Sequence, residues 1–301
     1  MKKFFLILLF FITQNSFANS TLYVPYAPGG TVDTVSRMIT RNSKEVVSIN
    51  KPGASGQVAL QEMALNPGAM IITGFTMFVT NPIIYKKSIS YDVANYEVIA
   101  TAGTMPGVLA CNKKVSINNI QDLLNYKEKL VFGATVAGGA EHLNTEILLS
   151  HTKNDLITVI PYQGGVKHYT DMLGGHIDCV FGILSNLLPF IDDPRLNVIV
   201  ATHPIDNFRK NVPVWKNIFN KEFGFESIIV ILIDKRQAPG IKNKILADLK
   251  SNMDTTEFKS ELARRGVVPI ILFDKEAQDI NDKYNKLVQE VILKNNILFN
   301  R

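Results

Sequence analysis

The stretch Val24-Pro25-Tyr26-Ala27-Pro28-Gly29-Gly30-Thr31-Val32-Asp33 has the residue types and spacing to hold an anion. Val32, Val35, Met38 and Ile39 then recur at intervals of three and four, which predicts a helix from Thr31 to about Asn42 with one apolar face. The unpaired N–H groups of its first turn and the positive end of its dipole would point back at the loop, and two glycines would let a small molecule approach the backbone. No Lys or Arg lies between Thr21 and Val35. An anion held there would be gripped by peptide amides and hydroxyls, which suits a carboxylate better than a polyphosphate. The competing reading is an ordinary strand-to-helix turn punctuated by Pro and Gly.

The elements around this stretch repeat its grammar. A strand over Glu45–Ile49, a Gly-rich turn from Asn50 to Gly56, a helix over Gln57–Leu65 and a buried strand over Met70–Phe75 follow in order. Alternation of this kind predicts right-handed parallel crossovers with ligands at the carboxyl ends of the strands. A second unit begins at Lys129, with Gly138-Gly139 after the strand Leu130–Thr135 and Gly164-Gly165 after Thr158–Tyr162. Glycine pairs after strands in two α/β units predict facing, anion-friendly rims on two lobes. Ile228–Ile233 reads as a returning strand, followed by helices over Ile241–Asn252, Glu257–Arg264 and Lys275–Lys294 and a strand over Val267–Phe273. That segment can complete the first lobe, giving lobes of residues 19–107 plus 226–301 and of residues 108–225.

Other chemistry is missing. The histidines at 142, 151, 168, 176 and 203 show no tight metal spacing, Gly53-Ala54-Ser55-Gly56 breaks the nucleophile-elbow pattern at Gln57, and no Walker loop or dinucleotide fingerprint is present. No enzyme activity, metal or cofactor is expected. Met1 to Ala18 has the anatomy of a secretory signal peptide: Lys2 and Lys3, an apolar run from Phe4 to Ile12, and Ser16-Phe17-Ala18 at the cleavage point. The expectation is an exported, periplasmic monomer without a membrane anchor. Without Lys2 and Lys3 the formal charge falls from +5 to +3, too mild for a nucleic-acid partner. Cys111 and Cys179 each lie in an apolar run; one disulfide is permitted, but that setting favours two buried thiols.

Four motifs, in order, carry a resemblance. Val24 to Asp33 looks like V-P-F-x-P-G-G-x-x-D, with Tyr26 for Phe. Asn50-Lys51-Pro52-Gly53-Ala54-Ser55-Gly56 is similar to N-x-P-G-A-G-G, with Ser55 for Gly. Asn81-Pro82 to Tyr91-Asp92 resembles N-P-x-x-Y…Y-D, and Ile160-Pro161-Tyr162-Gln163-Gly164-Gly165 through Gly174-Gly175-His176-Ile177-Asp178 resembles V-P-Y-x-G-G…G-G-x-x-D. Over nearly all of its mature length the chain resembles the solute-binding receptors of tripartite tricarboxylate transporters, the Bug family. Departures are Asn66-Pro67-Gly68-Ala69 in place of P-D-G-Y, and the region from His203 to Phe225, which lacks P-T-x-x-E-x-G.

The resemblance implies a type II periplasmic-binding-protein fold: two α/β lobes, each a mostly parallel sheet flanked by helices, with the ligand cleft between them. It implies a small carboxylate held by backbone, hydroxyls and ordered water, and membrane transporter subunits as partners. Tyr26, Ala27, Gly29, Gly30 and Asp33, with Thr76 and Thr80, would serve from the first lobe. Thr135, Ala137, Gly138 and Gly139 would serve from the second, with Tyr162, Gln163 and Gly164 near the cleft. Asp33 would fix the loop or a water, because its charge would repel an anion. A ligand sensor for a signalling partner and a secreted hydrolase are the competing functions.

Overall fold

The structure, a computed structural model, describes residues 20–74, 76–85, 88–135, 138–152, 154–162, 166–219 and 224–294. The signal peptide read from Met1 to Ala18 lies outside these residues.

Two sheets organise the chain. The first contains β1 (Ser20–Val24), β2 (Val46–Asn50), β3 (Met70–Thr73) and β4 (Tyr96–Met105). The second is built from β5 (Gly107–Asn112), β6 (Leu130–Thr135), β7 (Ile157–Tyr162), β8 (Cys179–Ile183) and β9 (Leu196–Ala201). The chain then returns to the first sheet with β10 (Ser227–Asp234) and the short β11 (Leu272–Phe273). The strand orders are β11-β4-β10-β3-β1-β2 and β7-β6-β8-β5-β9. β10 (SIIVILID) is buried along its whole length, as a run of β-branched residues in the middle of a sheet should be.

The expected parallel pairing holds where strands alternate with helices: β1 with β2 and β3, and β6 with β7 and β8. Elsewhere the sheets are mixed rather than mostly parallel. β10 runs antiparallel to β3 and β4, and β5 runs antiparallel to β8 and β9. The reason is local: β4 passes into β5 through Pro106 alone, with no helix between them, so the chain enters the second sheet in the reverse sense. The strand expected over Val267–Phe273 shrinks to β11 and a bridge between Thr104 and Val268.

The helix Thr31–Thr40 buries Val32, Val35, Met38 and Ile39 on the first sheet, and it ends two residues before the predicted Asn42. Fully burying one such side chain stabilises by roughly 1.5–3 kcal/mol. In the second lobe Trp215 is fully buried, its ring 4.7 Å from Phe219 and 5.4 Å from Phe181. The helix Lys275–Lys294 packs on β4 and β10, while its Val288 and Ile292 join the core cluster of the second sheet. Cys111 and Cys179 are directly opposed in the β5–β8 register, their Cα atoms 4.0 Å apart, and they form a disulfide. This corrects the reading of two free thiols. The apolar runs foretell burial of both sulfurs but not the register that makes them neighbours.

Where the chain crosses between sheets, Glu226 ties the crossings together. Its Oε2 accepts from Thr104 Oγ1 (2.6 Å) at the end of β4, and its Oε1 lies 3.3 Å from His203 Nδ1 beyond β9. Beside it, the side chain of Asn144 accepts from the Phe225 amide (2.8 Å) and donates to the Phe225 carbonyl (2.9 Å).

Candidate functional site

The first glycine corner is held by a buried carboxylate. The Gly29 amide donates to Asp33 Oδ2 (2.9 Å), Arg37 Nε donates to the same oxygen (3.1 Å), and Asn50 Nδ2 donates to Asp33 Oδ1 (2.9 Å). Asp33 is therefore a brace for the loop, the role expected from its charge. The Gly29 amide and its other partners hold its carboxyl below the usual carboxylate range, outweighing the burial that would raise it. Gly29 needs its missing side chain here, since its φ is +91°. Gly30 has no capping side chain to offer the helix Thr31–Thr40, so the first-turn amides lack helical acceptors and face the loop.

The sequence motifs brace one another. Asn50, which opens the second motif, also donates to the Tyr26 carbonyl (3.1 Å), and Asn81 of the third donates to the Ser55 carbonyl (2.8 Å). Tyr26 lies over the end of β3, its hydroxyl 2.9 Å from Thr73 Oγ1. Burial raises its pKa, hydrogen bonds to Thr73 and Gly74 oppose the rise, and the Glu141 carboxylate of the second lobe adds to it. Ala27 and Gly29 are exposed on the same loop.

The second corner uses the same spacing with different chemistry. Gly138, at φ +80°, donates its amide to His142 Nδ1 (2.9 Å), and His142 Nε2 lies 3.6 Å from Glu146 Oε1. Gly138 and Gly139 are buried and lead into the helix Ala140–Thr152, whose first turn carries the buried Glu141. This corner presses on the first lobe: a Cβ on Gly138 would lie 2.8 Å from Thr80 Oγ1 and 2.3 Å from Ile84 Cδ1. Thr31 Oγ1 makes a second link between lobes, 2.6 Å from Ser185 Oγ and 3.3 Å from Asn186 Oδ1.

The expected residues thus divide. Tyr26, Ala27, Gly29, Gly30 and Asp33 form one corner, and Gly138 and Gly139 form a second that meets Thr80. Thr76 and Thr135 have described backbone positions only, in the helix Thr76–Val79 and at the end of β6, while Ala137, Gln163 and Gly164 lie outside the described residues. Tyr162 is turned to its own lobe: its hydroxyl donates to Asp171 (2.9 Å), and burial, with that carboxylate adding to it, pushes its pKa up to about 12. Sequence reasoning passed over Thr31, Ser185, Asn186 and the caps on the two glycine amides. The caps had a signal, the four-residue steps Gly29, Asp33, Arg37 and Gly138, His142, Glu146. It also expected no cation near the first corner, yet Arg264 and Arg265 line a cavity together with Gly29 and Thr31.

Among the described residues no cluster of His, Cys, Asp and Glu could hold a metal, and no helix is long and apolar enough to cross a membrane. A protein from Pseudomonas sp. (strain P51), the "UPF0065 protein in tcbD-tcbE intergenic region", is 28% identical over 193 residues, spanning 60% of this chain and 57% of that protein. BugT of Bordetella pertussis is 22% identical over 264 residues, 83% of this chain and 81% of BugT. The solved structure of Rpa4515 of R. palustris with adipate superposes with a TM-score of 0.82 at 20% identity, covering 93% of this chain and 97% of that one. Residues 33–300 match the family described as "Tripartite tricarboxylate transporter family receptor". The chain belongs to that family, whose members are solute-binding receptors and not enzymes.

Proposed function

We propose that this protein is an exported receptor that closes its two lobes over a small carboxylate and presents the closed form to the membrane subunits of a tripartite transporter. The carboxylate is a di- or tricarboxylate, an acidic amino acid or an aromatic acid. The lobes are residues 19–107 with 226–301 and residues 108–225, in keeping with the two sheets. One observation carries the reading: each lobe offers a glycine corner opening a helix, and the second corner abuts the first lobe at Thr80. Asp33 and His142, by taking the Gly29 and Gly138 amides, hold the two corners in shape before the ligand arrives, so little ordering remains to oppose binding. A ligand touching both corners binds the closed arrangement better than the open one, and that difference in affinity is what moves the lobes. The adipate bound to Rpa4515, a protein of the same fold, supports an acid as the ligand.

Calorimetry against a panel of dicarboxylates, tricarboxylates, acidic amino acids and aromatic acids tests this. At least one acid binds, and Gly30→Leu abolishes the binding without unfolding the protein, since nothing lies within 4 Å of a Cβ at Gly30. Binding of neutral sugars with no acid bound would overturn the reading.

A further inference from the structure

Glu226 stands astride the joint between the lobes, with one carboxylate oxygen turned to each. Oε2 accepts from Thr104 Oγ1 of the first sheet (2.6 Å). Oε1 faces the second lobe, where Thr202 Oγ1 donates to it (3.4 Å) and His203 Nδ1 lies 3.3 Å away. The anchors are fastened to their own sides. The Glu226 amide donates to Tyr284 Oη (2.7 Å) on the helix Lys275–Lys294, and the same hydroxyl meets the Glu226 carbonyl. Thr202 is fixed to the start of β5: its Oγ1 accepts from the Gly107 amide (2.8 Å), and its own amide donates to the Gly107 carbonyl (2.9 Å).

Pro106 and Phe225 lie at the crossings between these two sets of anchors, so turning one lobe against the other changes the separation of Glu226 from His203. The contact is made here with the lobes touching at Gly138 and Thr80 and at Thr31 and Ser185, and so belongs to the closed arrangement. His203 is half exposed, within reach of solvent protons. The titratable groups around the pair are Tyr284, Glu141 of the helix Ala140–Thr152, whose charge bears on Tyr284, and Lys283, which shares a hollow with Thr104 and Tyr284. Burial raises the Tyr284 pKa and the Glu226 charge adds to it, so that hydroxyl stays neutral. Ordinary carboxylates and ammonium groups keep their charge between about pH 5.5 and 8, whereas an imidazole does not.

We propose that His203 and Glu226 form a pH-set latch on the joint, in which a protonated imidazole holds the Glu226 carboxylate across it and favours the arrangement with the lobes in contact. The latch is complete below the imidazole range and is lost as pH rises through it. An interaction made in one arrangement and weakened in the other shifts their balance by that difference alone. For a pair as exposed as this one the shift is about twofold to fivefold. The latch rests on the lobe closure of the function proposed above, though on no particular ligand.

The test reads lobe separation with no ligand added. β2 and β7 are the sheet edges farthest from the crossing strands, so a turn about the joint moves them most. Val47 and Ile160 are exposed on them, and the disulfide keeps Cys111 and Cys179 from reacting with a label. Spin labels on a Val47→Cys, Ile160→Cys chain give the ratio of near to far distances by pulsed resonance. With the latch intact, that ratio rises about twofold to fivefold from about pH 8 to about pH 5.5. His203→Gln removes the rise, and so does Glu226→Gln. The half-exposed position of His203 keeps the proposal testable even where Glu226→Gln fails a thermal melt. The proposal falls if the ratio ignores pH, or if either folded variant responds as fully as the parent. Neither result bears on acid binding, which the calorimetric panel measures, so failure of the latch and failure of the receptor reading are told apart.

Discussion

The Gly138 amide donates to His142 Nδ1, four residues along the chain, and the first lobe repeats the arrangement with Gly29 and Asp33. The caps differ in what stands behind them. Asp33 is a buried carboxylate with Arg37 and Asn50 as further donors, whereas His142 stands beside the carboxylate of Glu146.

This difference sets the cost of losing each cap. Asp33→Ala strands the Gly29 amide, Arg37 and Asn50 together, and lowers unfolding free energy by about 2–3 kcal/mol, against about 1 kcal/mol for His142→Ala. Urea denaturation at neutral pH measures both. Because the folded pKa of Asp33 is depressed, its contribution is present above the unfolded value near pH 4 and is lost as pH falls through the folded value. Equal losses from the two variants would show that the donors around Asp33 find other acceptors.

Gly138→Ala places a methyl group where Ile84 and Thr80 already stand, at a backbone angle that side chains avoid. The mutant chain should remain folded, losing about 1–2 kcal/mol, while its lobes are held apart. Ligand affinity should fall more than tenfold, and small-angle scattering should report a wider particle. Gly30→Ala, at φ −77° and with nothing within 4 Å of its Cβ, is the matched control for stability and particle width.

The disulfide closes a loop of 68 residues between neighbouring strands of the second sheet. Replacing Cys111 and Cys179 together by Ala should lower stability by roughly 2–4 kcal/mol. Thermal melts with and without reductant provide the check: reductant lowers the wild-type midpoint and leaves the double variant unchanged.

His168 is fully buried in the second lobe, and burial lowers its pKa to about 4. Its ring centroid lies 4.2 Å from that of Tyr169, and neither ring nitrogen has a hydrogen-bond partner among the described residues. Below pH 6.5 the unfolded chain takes a proton that the folded chain refuses, so stability falls as pH drops from 6.5 toward 4, by at most about 3 kcal/mol. Above pH 7.5 this group contributes no slope. His168→Leu should flatten the decline between pH 7 and 5 in denaturant titrations, and an unaltered decline would exclude His168 as its source.

What the sequence revealed follows the reach of its patterns. Gly29-Gly30 and Gly138-Gly139 were readable because a strand, a glycine pair and an apolar helix face are all local. The start of the helix Lys275–Lys294 was readable for the same reason. What escaped depends on partners far along the chain: Thr31 with Ser185, Arg264 beside Gly29, Cys111 opposite Cys179. Each needs the order of strands in a sheet, which periodicity does not contain. The antiparallel insertion of β10 between β3 and β4 is the clearest case, since no turn or crossover motif near Ser227 specifies those neighbours.

That inserted strand also governs when the molecule can assemble. The second sheet draws its strands from one continuous stretch, so a growing polypeptide can build it early. The first has a gap at its centre until Ser227–Asp234 emerges, some 120 residues after Met105. A chain so arranged stays half-open for most of its synthesis, with long-range pairing left for last. Any translocation machinery that must thread it therefore meets a substrate whose opening half has not yet locked.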